Sequence, residues 1–195
     1  MSTTSSSTAP ATPPGRPARH HHRFSLQWFD WGRATDKEKS DIGHVYAHVF
    51  EHDIGLVFNP ALDSDFVTPL KYYSVAAKGA FVVARDDEDG GRIVGTGALR
   101  HLTDLPGFQA EIKRMFFLPV CRGHRLGHVM ARMLIDKARE IGFDAVVLDT
   151  KKRLAAANRI YELSGFVDCE NYNANPRADR WMRLRLKDST AQSKL

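Results

Sequence analysis

The chain has two cysteines among 195 residues, no acidic side chain before Asp30, and no apolar run long enough to cross a bilayer. Each absence excludes something. Cys121 and Cys169 stand far apart without a Cys-x-x-Cys spacing, so neither a disulfide framework nor a cysteine metal site is expected. They read as two neutral thiols of a reducing compartment. Without a long apolar run or a secretory core, no membrane association is expected. There is also no block of lysine and arginine interleaved with aromatics. The formal net charge is +5, and Arg16, Arg19 and Arg23 supply much of it from the acid-free end. The rest is close to balanced, which disfavours nucleic-acid binding. Neither G-x-G-x-x-G nor Gly-Lys-Ser/Thr occurs, which sets aside a Rossmann dinucleotide site and a Walker A phosphate loop.

What is present divides into a tail, one domain and a short end. Residues 1–23 are rich in Ser, Thr, Pro, Ala and Arg and are expected to be disordered, since they carry too little apolar surface to offset ordering. Their prolines argue against a transit-peptide helix, and His20, His21 and His22 on a flexible tail would not fix metal geometry. Residues 24–187 carry the periodic patterns. An aromatic–polar alternation over Phe24–Trp31 predicts a first strand, and Asp36–His52 predicts a helix with Ile42, Val45, Tyr46, Val49 and Phe50 on one face. His44, His48 and His52 line its flank, where a solvated or substrate-side role is favoured over zinc. Residues 53–78 read as loop and short helix. Strands Ala80–Arg85 and Arg92–Leu102 flank an acidic turn ending in Gly90-Gly91. A strand follows over Phe108–Leu118. A helix with Leu126, Val129, Met130, Met133, Leu134 and Ile141 on one stripe is closed by Gly142. The buried strand Ala145–Leu148, a helix over Lys151–Leu163 and strands Phe166–Cys169 and Trp181–Leu186 complete the domain. Residues 188–195 form a polar tail. The order predicts an α/β (α+β) three-layer fold, with a mixed sheet between helices on both faces.

The most informative stretch runs from Glu111 to Gly127. A strand, a tight turn with two glycines, and a helix start would aim several backbone N–H groups and the positive end of a helix dipole at one spot. That is an anion cradle suited to a diphosphate. Met115-Phe116-Phe117-Leu118-Pro119 leads into Arg122-Gly123-His124-Arg125-Leu126-Gly127, and Ala156-Ala157-Asn158-Arg159-Ile160-Tyr161 leads into Gly165-Phe166. Both elements, in this order, resemble the acyl-CoA motif and the A-x-x-L-Y-x-x-x-G-F element of the Gcn5-related N-acetyltransferase (GNAT) superfamily. Arg125 replaces the motif's first glycine, which an ordinary backbone conformation there would accommodate, and it adds a cation beside the diphosphate.

The resemblance implies a GNAT-type fold with a mostly antiparallel twisted sheet, acetyl-CoA as co-substrate, and no metal. It implies that the amides of Gly123, His124, Arg125, Leu126, Gly127 and His128, with Arg122 nearby, hold the CoA diphosphate. Met115, Phe116 and Phe117 would splay from the Ala145–Leu148 strand to bind pantetheine, with an N–H near Phe116 or Phe117 polarising the thioester carbonyl. Asn158 would hydrogen-bond pantetheine, and Tyr161 would protonate the leaving thiolate. Glu111 is the candidate base, at the spacing before Phe117 where histone-type members place a glutamate. His101, Asp104 and Asp149 stand in reserve, and ordered water is the alternative. Residues 53–78, Tyr172 and Trp181 are candidate substrate contacts.

The expected reaction is direct acetyl transfer from acetyl-CoA to a primary amine of a small molecule in a ternary complex. The alternatives are acetylation of protein lysine and a non-catalytic acyl-CoA sensor. A homodimer is compatible with the sequence. Ser193-Lys194-Leu195 matches a peroxisomal import signal, so the import receptor is an expected partner and the peroxisome an expected location in a eukaryote. The cytoplasm is the alternative.

Overall fold

Alternating apolar residues on successive strands build one sheet, and the strands with long apolar runs lie at its centre. The structure, a computed structural model, describes residues 23–187. The tail up to His22 and the terminal Ser193-Lys194-Leu195 lie outside the described residues. The strands are β1 (Phe24–Trp28), β2 (Ala80–Asp86), β3 (Arg92–Leu102), β4 (Gln109–Phe117), β5 (Ala145–Thr150), β6 (Val167–Asp168) and β7 (Arg180–Arg185). They form a seven-stranded sheet in the order β1-β2-β3-β4-β5-β7-β6. Only β4 and β5 pair in parallel, and every other neighbour is antiparallel.

Helix α1 (Asp36–Ala47) starts in a capping box. The Thr35 hydroxyl accepts from the Glu38 N–H at 3.2 Å, and the Glu38 carboxylate accepts from the Thr35 N–H at 2.9 Å. Two orphan donors of the first turn are thereby satisfied. The expected continuation to His52 is present but widens into a π-helical turn, His48–Asp53. Short helices α2 (Ser64–Val67) and α3 (Pro69–Tyr73) follow. Helix α4 (Leu126–Ile141) ends on Gly142 at φ 94°, a left-handed C-cap that glycine adopts without steric cost.

Helix α5 (Ala155–Leu163) begins four residues later than the periodicity predicts. Lys151–Leu154 instead form a turn. The Lys152 N–H donates to Asp179 Oδ1 at 2.6 Å, and Asn158 Nδ2 donates to the Lys151 and Lys152 carbonyls at 3.0 Å each. Those long-range and back-bonding contacts outcompete the first helical turn.

The core joins both faces of the sheet, with Phe81, Ile93, Leu99, Leu148 and Met182 packed with Met130, Leu134 and Phe143. Each such side chain contributes about 1.5–3 kcal/mol of transfer free energy. On the α4 face the approach is tight at Gly97, where an added Cβ would lie 2.5 Å from the Met130 sulfur.

Candidate active site

β4 and β5 stay paired over only three positions, Gln109 with Ala145, Ala110 with Val146 and Glu111 with Val147. Beyond them β4 bends away. Its register against β3 slips between Thr96 and Ala98, and Arg114 takes a left-handed backbone conformation at φ 59°. Such a bulge bends a strand and ends its pairing, at a cost of about 1–2 kcal/mol for a non-glycine residue. Buried contacts hold the bulge in place. The Thr96 hydroxyl donates to the Arg114 carbonyl at 2.8 Å. The Arg114 guanidinium donates to Asp65 at 2.8 and 2.6 Å and to Asp63 at 3.1 Å. Burial works to raise the pKa of Asp65, but the hydrogen bonds and charge of Arg114 outweigh it and bring it down to about 2. The Tyr73 hydroxyl also donates to Asp65.

Strand alternation decides which backbone groups face the resulting gap. The Leu118 N–H donates to the Val94 carbonyl at 2.9 Å, so the N–H and C=O of Phe117 point the other way, towards β5.

A cavity opens on each side of this gap. The first, about 590 Å³, lies between Met115–Phe117, the turn before α4 and the start of α5. In that turn Gly123 and Arg125 both have positive φ, at 82° and 59°. The N–H groups of Gly123, His124 and Arg125 have no backbone acceptor among the described residues. They sit at the N-terminus of a 16-residue helix, the arrangement that favours an anion. At Gly127 the helix start packs closely on α5, where a Cβ would lie 2.7 Å from Ile160 Cδ1.

The second cavity, about 330 Å³, lies under the Ile54–Ser64 loop and the Asn173–Ala178 loop. The two cavities share Ile54, Met115, Phe116, Leu154, Ala157 and Tyr161. These six residues, common to both linings, mark a neck where the two cavities adjoin. Burial, and then the charge of Asp149, push the Tyr161 phenol up from its ordinary value. It therefore stays protonated at neutral pH, a proton donor rather than a base.

Comparison with known proteins fits this architecture. The family model described as the acetyltransferase (GNAT) family matches residues 22–166. The chain belongs to the GNAT family. An N-acetyltransferase of Schizosaccharomyces pombe is 32% identical over 132 residues, covering 68% of this chain and 77% of that protein. The matched stretches cover only 36 to 55% of four further curated relatives. An acetyltransferase from Streptococcus agalactiae has the same fold, with a TM-score of 0.71 at 22% identity over 84% of this chain and 99% of that one. A Salmonella typhimurium acetyltransferase, crystallised with acetyl-CoA, gives 0.62 at 18% identity over 87 and 98%. Membership makes the chain an acyltransferase.

Against the expectations for a GNAT site, most of the cofactor-side residues come together. Met115, Phe116, Phe117, Arg122, Gly123, Arg125, Leu126, Gly127, His128 and Tyr161 line the first cavity. Three placements differ in detail. The His128 N–H donates to the Arg125 carbonyl at 3.1 Å, so only its side chain faces the cavity. His124 lies edge-on to Phe24, with ring centroids 4.8 Å apart. Asn158 lines neither cavity, because its amide staples the Lys151–Leu154 turn. Arg125 departs from the ordinary backbone conformation expected of it. At φ 59° it caps α4 in the left-handed region, which explains why the family motif carries glycine there. The Arg122 Nε donates to the Phe117 carbonyl at 3.1 Å, and its Nη2 pairs with Asp53.

Glu111 is fully buried and lies behind the wall of the second cavity. Its Oε1 accepts from the Tyr172 hydroxyl at 2.7 Å and from Asn173 Nδ2 at 3.3 Å. Its Oε2 is 2.7 Å from Arg100 Nη2 and 3.8 Å from Lys113 Nζ. Tyr172 and Trp181 act through this network, Trp181 Nε1 donating to Asn173 Oδ1 at 3.0 Å. Two acids do line the cavity: Asp63, held by Arg114 and Arg177, and Asp149, whose Oδ2 accepts from Asn173 and Asn175 at 2.5 and 3.0 Å. His101 and Asp104 line neither cavity.

Sequence reasoning missed the cationic wall of the second cavity, made by Arg100, Lys113, Arg114 and Arg177. Lys113 and Arg114, close after Glu111 in the same strand, were the local signal; Arg100 comes opposite Glu111 only through the pairing of β3 with β4. Both cysteines are free thiols, and Cys121 is buried, its pKa pushed by burial up to about 11.

Proposed function

We propose that the protein moves the acetyl group of acetyl-CoA to the primary amine of a small molecule, by direct attack with both substrates bound. The observation that carries this reading is the neck. Two cavities adjoin at Met115, Phe116 and Tyr161, which line both, so a thioester held in one would meet an amine held in the other. A ternary complex of that kind supplies proximity without a covalent enzyme intermediate.

The residues suit acetyl-CoA on the first side. The free amides of Gly123, His124 and Arg125, with Arg122 and Arg125 beside them, match a diphosphate. The apolar run Met115–Phe117 and Ala155–Ala157 matches the pantetheine arm. Beside the neck, the Phe117 N–H would donate to the thioester carbonyl oxygen and stabilise the charge that develops there. The amine loses one proton before it attacks, and the Asp149 carboxylate takes it as the base, directly or through water. As the N–C bond forms and the C–S bond breaks, Tyr161 gives its proton to the sulfur and is reprotonated from the amine's second proton. The balance is one amide, one free thiol and one proton released. Glu111 keeps Arg100, Tyr172 and Asn173 in position and takes no proton here.

The small size of the second cavity and its cationic wall disfavour a basic peptide, so protein lysine is the weaker reading. Purified protein with acetyl-CoA and a panel of amines, followed by thiol release and mass detection of the N-acetyl product, tests the proposal. Binding of acetyl-CoA without any acetylated amine would return the sensor reading. We also propose peroxisomal import through Ser193-Lys194-Leu195. A fluorescent fusion ending in that tripeptide should collect in peroxisomes, and one with Leu195 deleted should not.

A further inference from the structure

The charges around the acceptor cavity are not evenly matched. At one end Arg114 and Arg177 are balanced by Asp63 and Asp65, with Arg177 Nη1 3.0 Å from Asp63 Oδ2. At the other end Arg100 and Lys113 have one carboxylate within ion-pair distance, Glu111, and feel Asp65 only from farther off. Arg100 takes the close contact at 2.7 Å, which leaves Lys113 at 3.8 Å, beyond hydrogen-bond distance. The Lys113 side chain is only 14% exposed, and its ammonium makes no hydrogen bond among the described residues. A mostly buried ammonium without acceptors is costly unless an anion or water completes it. Lys113 and Arg100 both line the cavity. The site therefore has a half-satisfied cationic patch facing the space where the amine must bind.

Asp149 provides the opposite charge on the wall of the same cavity. Two asparagines occupy its Oδ2, while its Oδ1 accepts no hydrogen bond from the described residues. It lines the same cavity as Tyr161, so it lies on the reacting side. The two charged ends are close together. Asn173 Nδ2 bridges them, 2.5 Å from Asp149 Oδ2 and 3.3 Å from Glu111 Oε1, and Glu111 in turn is 3.8 Å from Lys113.

We propose that the acceptor is a short aminocarboxylate, such as a free amino acid, with its carboxylate held by Lys113 and Arg100 and its amine by Asp149. This rests on the amine-transferase reading above and names the substrate class of that same site. An ammonium alone would leave the Lys113 end uncompensated, and a second cation on the substrate would be repelled there. A carboxylate supplies the missing acceptor and cancels the excess charge. The cavity of about 330 Å³ admits a molecule of amino-acid size.

The test is a matched substrate series with wild-type protein. Each free amino acid is compared with its carboxamide and its decarboxylated amine, reading kcat/KM from thiol release and confirming the N-acetyl product by mass. The free acid is expected to exceed both analogues by at least about tenfold. Lys113→Met should raise KM for the acid by at least about tenfold, bring it level with the carboxamide and leave the Kd for CoA unchanged, while Lys113→Arg should restore part of the preference. Lys113→Met keeps the stem volume, and Glu111 retains Arg100, Tyr172 and Asn173, so folding is not the variable. Equal or better turnover of the carboxamide or decarboxylated amine, or a preference that survives Lys113→Met, would overturn the aminocarboxylate assignment and leave amine transfer standing. If no amine of any class is acetylated while acetyl-CoA binds, the transferase reading and this one fall together.

Discussion

Replacing Arg114 by methionine should cost about 3–5 kcal/mol at neutral pH, and the cost should shrink on acidification. The substitution keeps a long, unbranched stem against Tyr46 and Phe66 and leaves the positive-φ cost unchanged, since both residues carry a Cβ. What it removes is the guanidinium between Asp63 and Asp65, which are 1% and 0% exposed. In the wild type Asp65 falls from its ordinary 3.8 to about 2. At about 1.36 kcal/mol per unit, that is about 2.5 kcal/mol. The folded-state pKa is depressed, so this stability is present above pH 3.8 and is lost as pH falls towards 2. In the variant the buried carboxyl has lost its cation, so burial raises its folded-state pKa, and the variant gains relative stability as protons arrive. The gap between the two proteins should therefore narrow as pH falls from 7 and close only towards pH 2. Denaturant unfolding followed by circular dichroism across that range measures it. A chain of this size shifts by about 2–4 °C per kcal/mol, so the neutral-pH Tm should fall by about 6–20 °C. A loss under about 1 kcal/mol at pH 7, or a gap that ignores pH, would refute the argument that the Arg114–Asp65 pair fastens the bulge.

Tyr161→Phe should lower kcat by about 100-fold or more with little change in acetyl-CoA binding; an unchanged kcat in single-turnover assays would remove the phenol from the chemistry. Arg125→Gly relieves a left-handed arginine and should raise stability by up to about 1 kcal/mol. The same change should weaken CoA binding and flatten its salt dependence, both readable by calorimetry at two ionic strengths. Gly79→Ala places a Cβ 1.9 Å from the Tyr72 carbonyl oxygen, a backbone clash that cannot be relieved by a rotamer. It should destabilise by about 2–4 kcal/mol, and a variant melting within a degree of wild type would contradict the packing.

The parts legible in the sequence are those written in short-range periods. The apolar stripe from Leu126 to Ile141, the Gly142 cap and the two motif elements around Gly123 and Tyr161 each depend on neighbours within a few residues. The site's other half depends on partners far apart in the chain. Arg114 reaches Asp65 across 49 positions, Tyr172 reaches Glu111 across 61, and Arg177 reaches Asp63 across 114. No local pattern encodes such pairs. The bulge was invisible for a related reason: Arg114 carries no turn signal, and its backbone conformation is imposed by buried ion pairs. Glu111 shows the limit of motif spacing, which located the residue in the strand but not which of its neighbours would claim its oxygens.

Three paired residues on each side, Gln109–Glu111 and Ala145–Val147, with the Phe108–Asp144 hydrogen bonds next to them, join strands β1–β4 to strands β5–β7 along the sheet. That makes the gap a mechanical joint as well as a docking slot. A pantetheine arm lying in it would act as an eighth strand that clamps the two halves, so binding on one side should stiffen the walls of the acceptor cavity on the other. Amide exchange in β5 and β7, remote from the diphosphate turn, should slow when CoA binds. Order of substrate addition would then be a property of the hinge: the acceptor finds a finished cavity only after the first substrate has closed the joint.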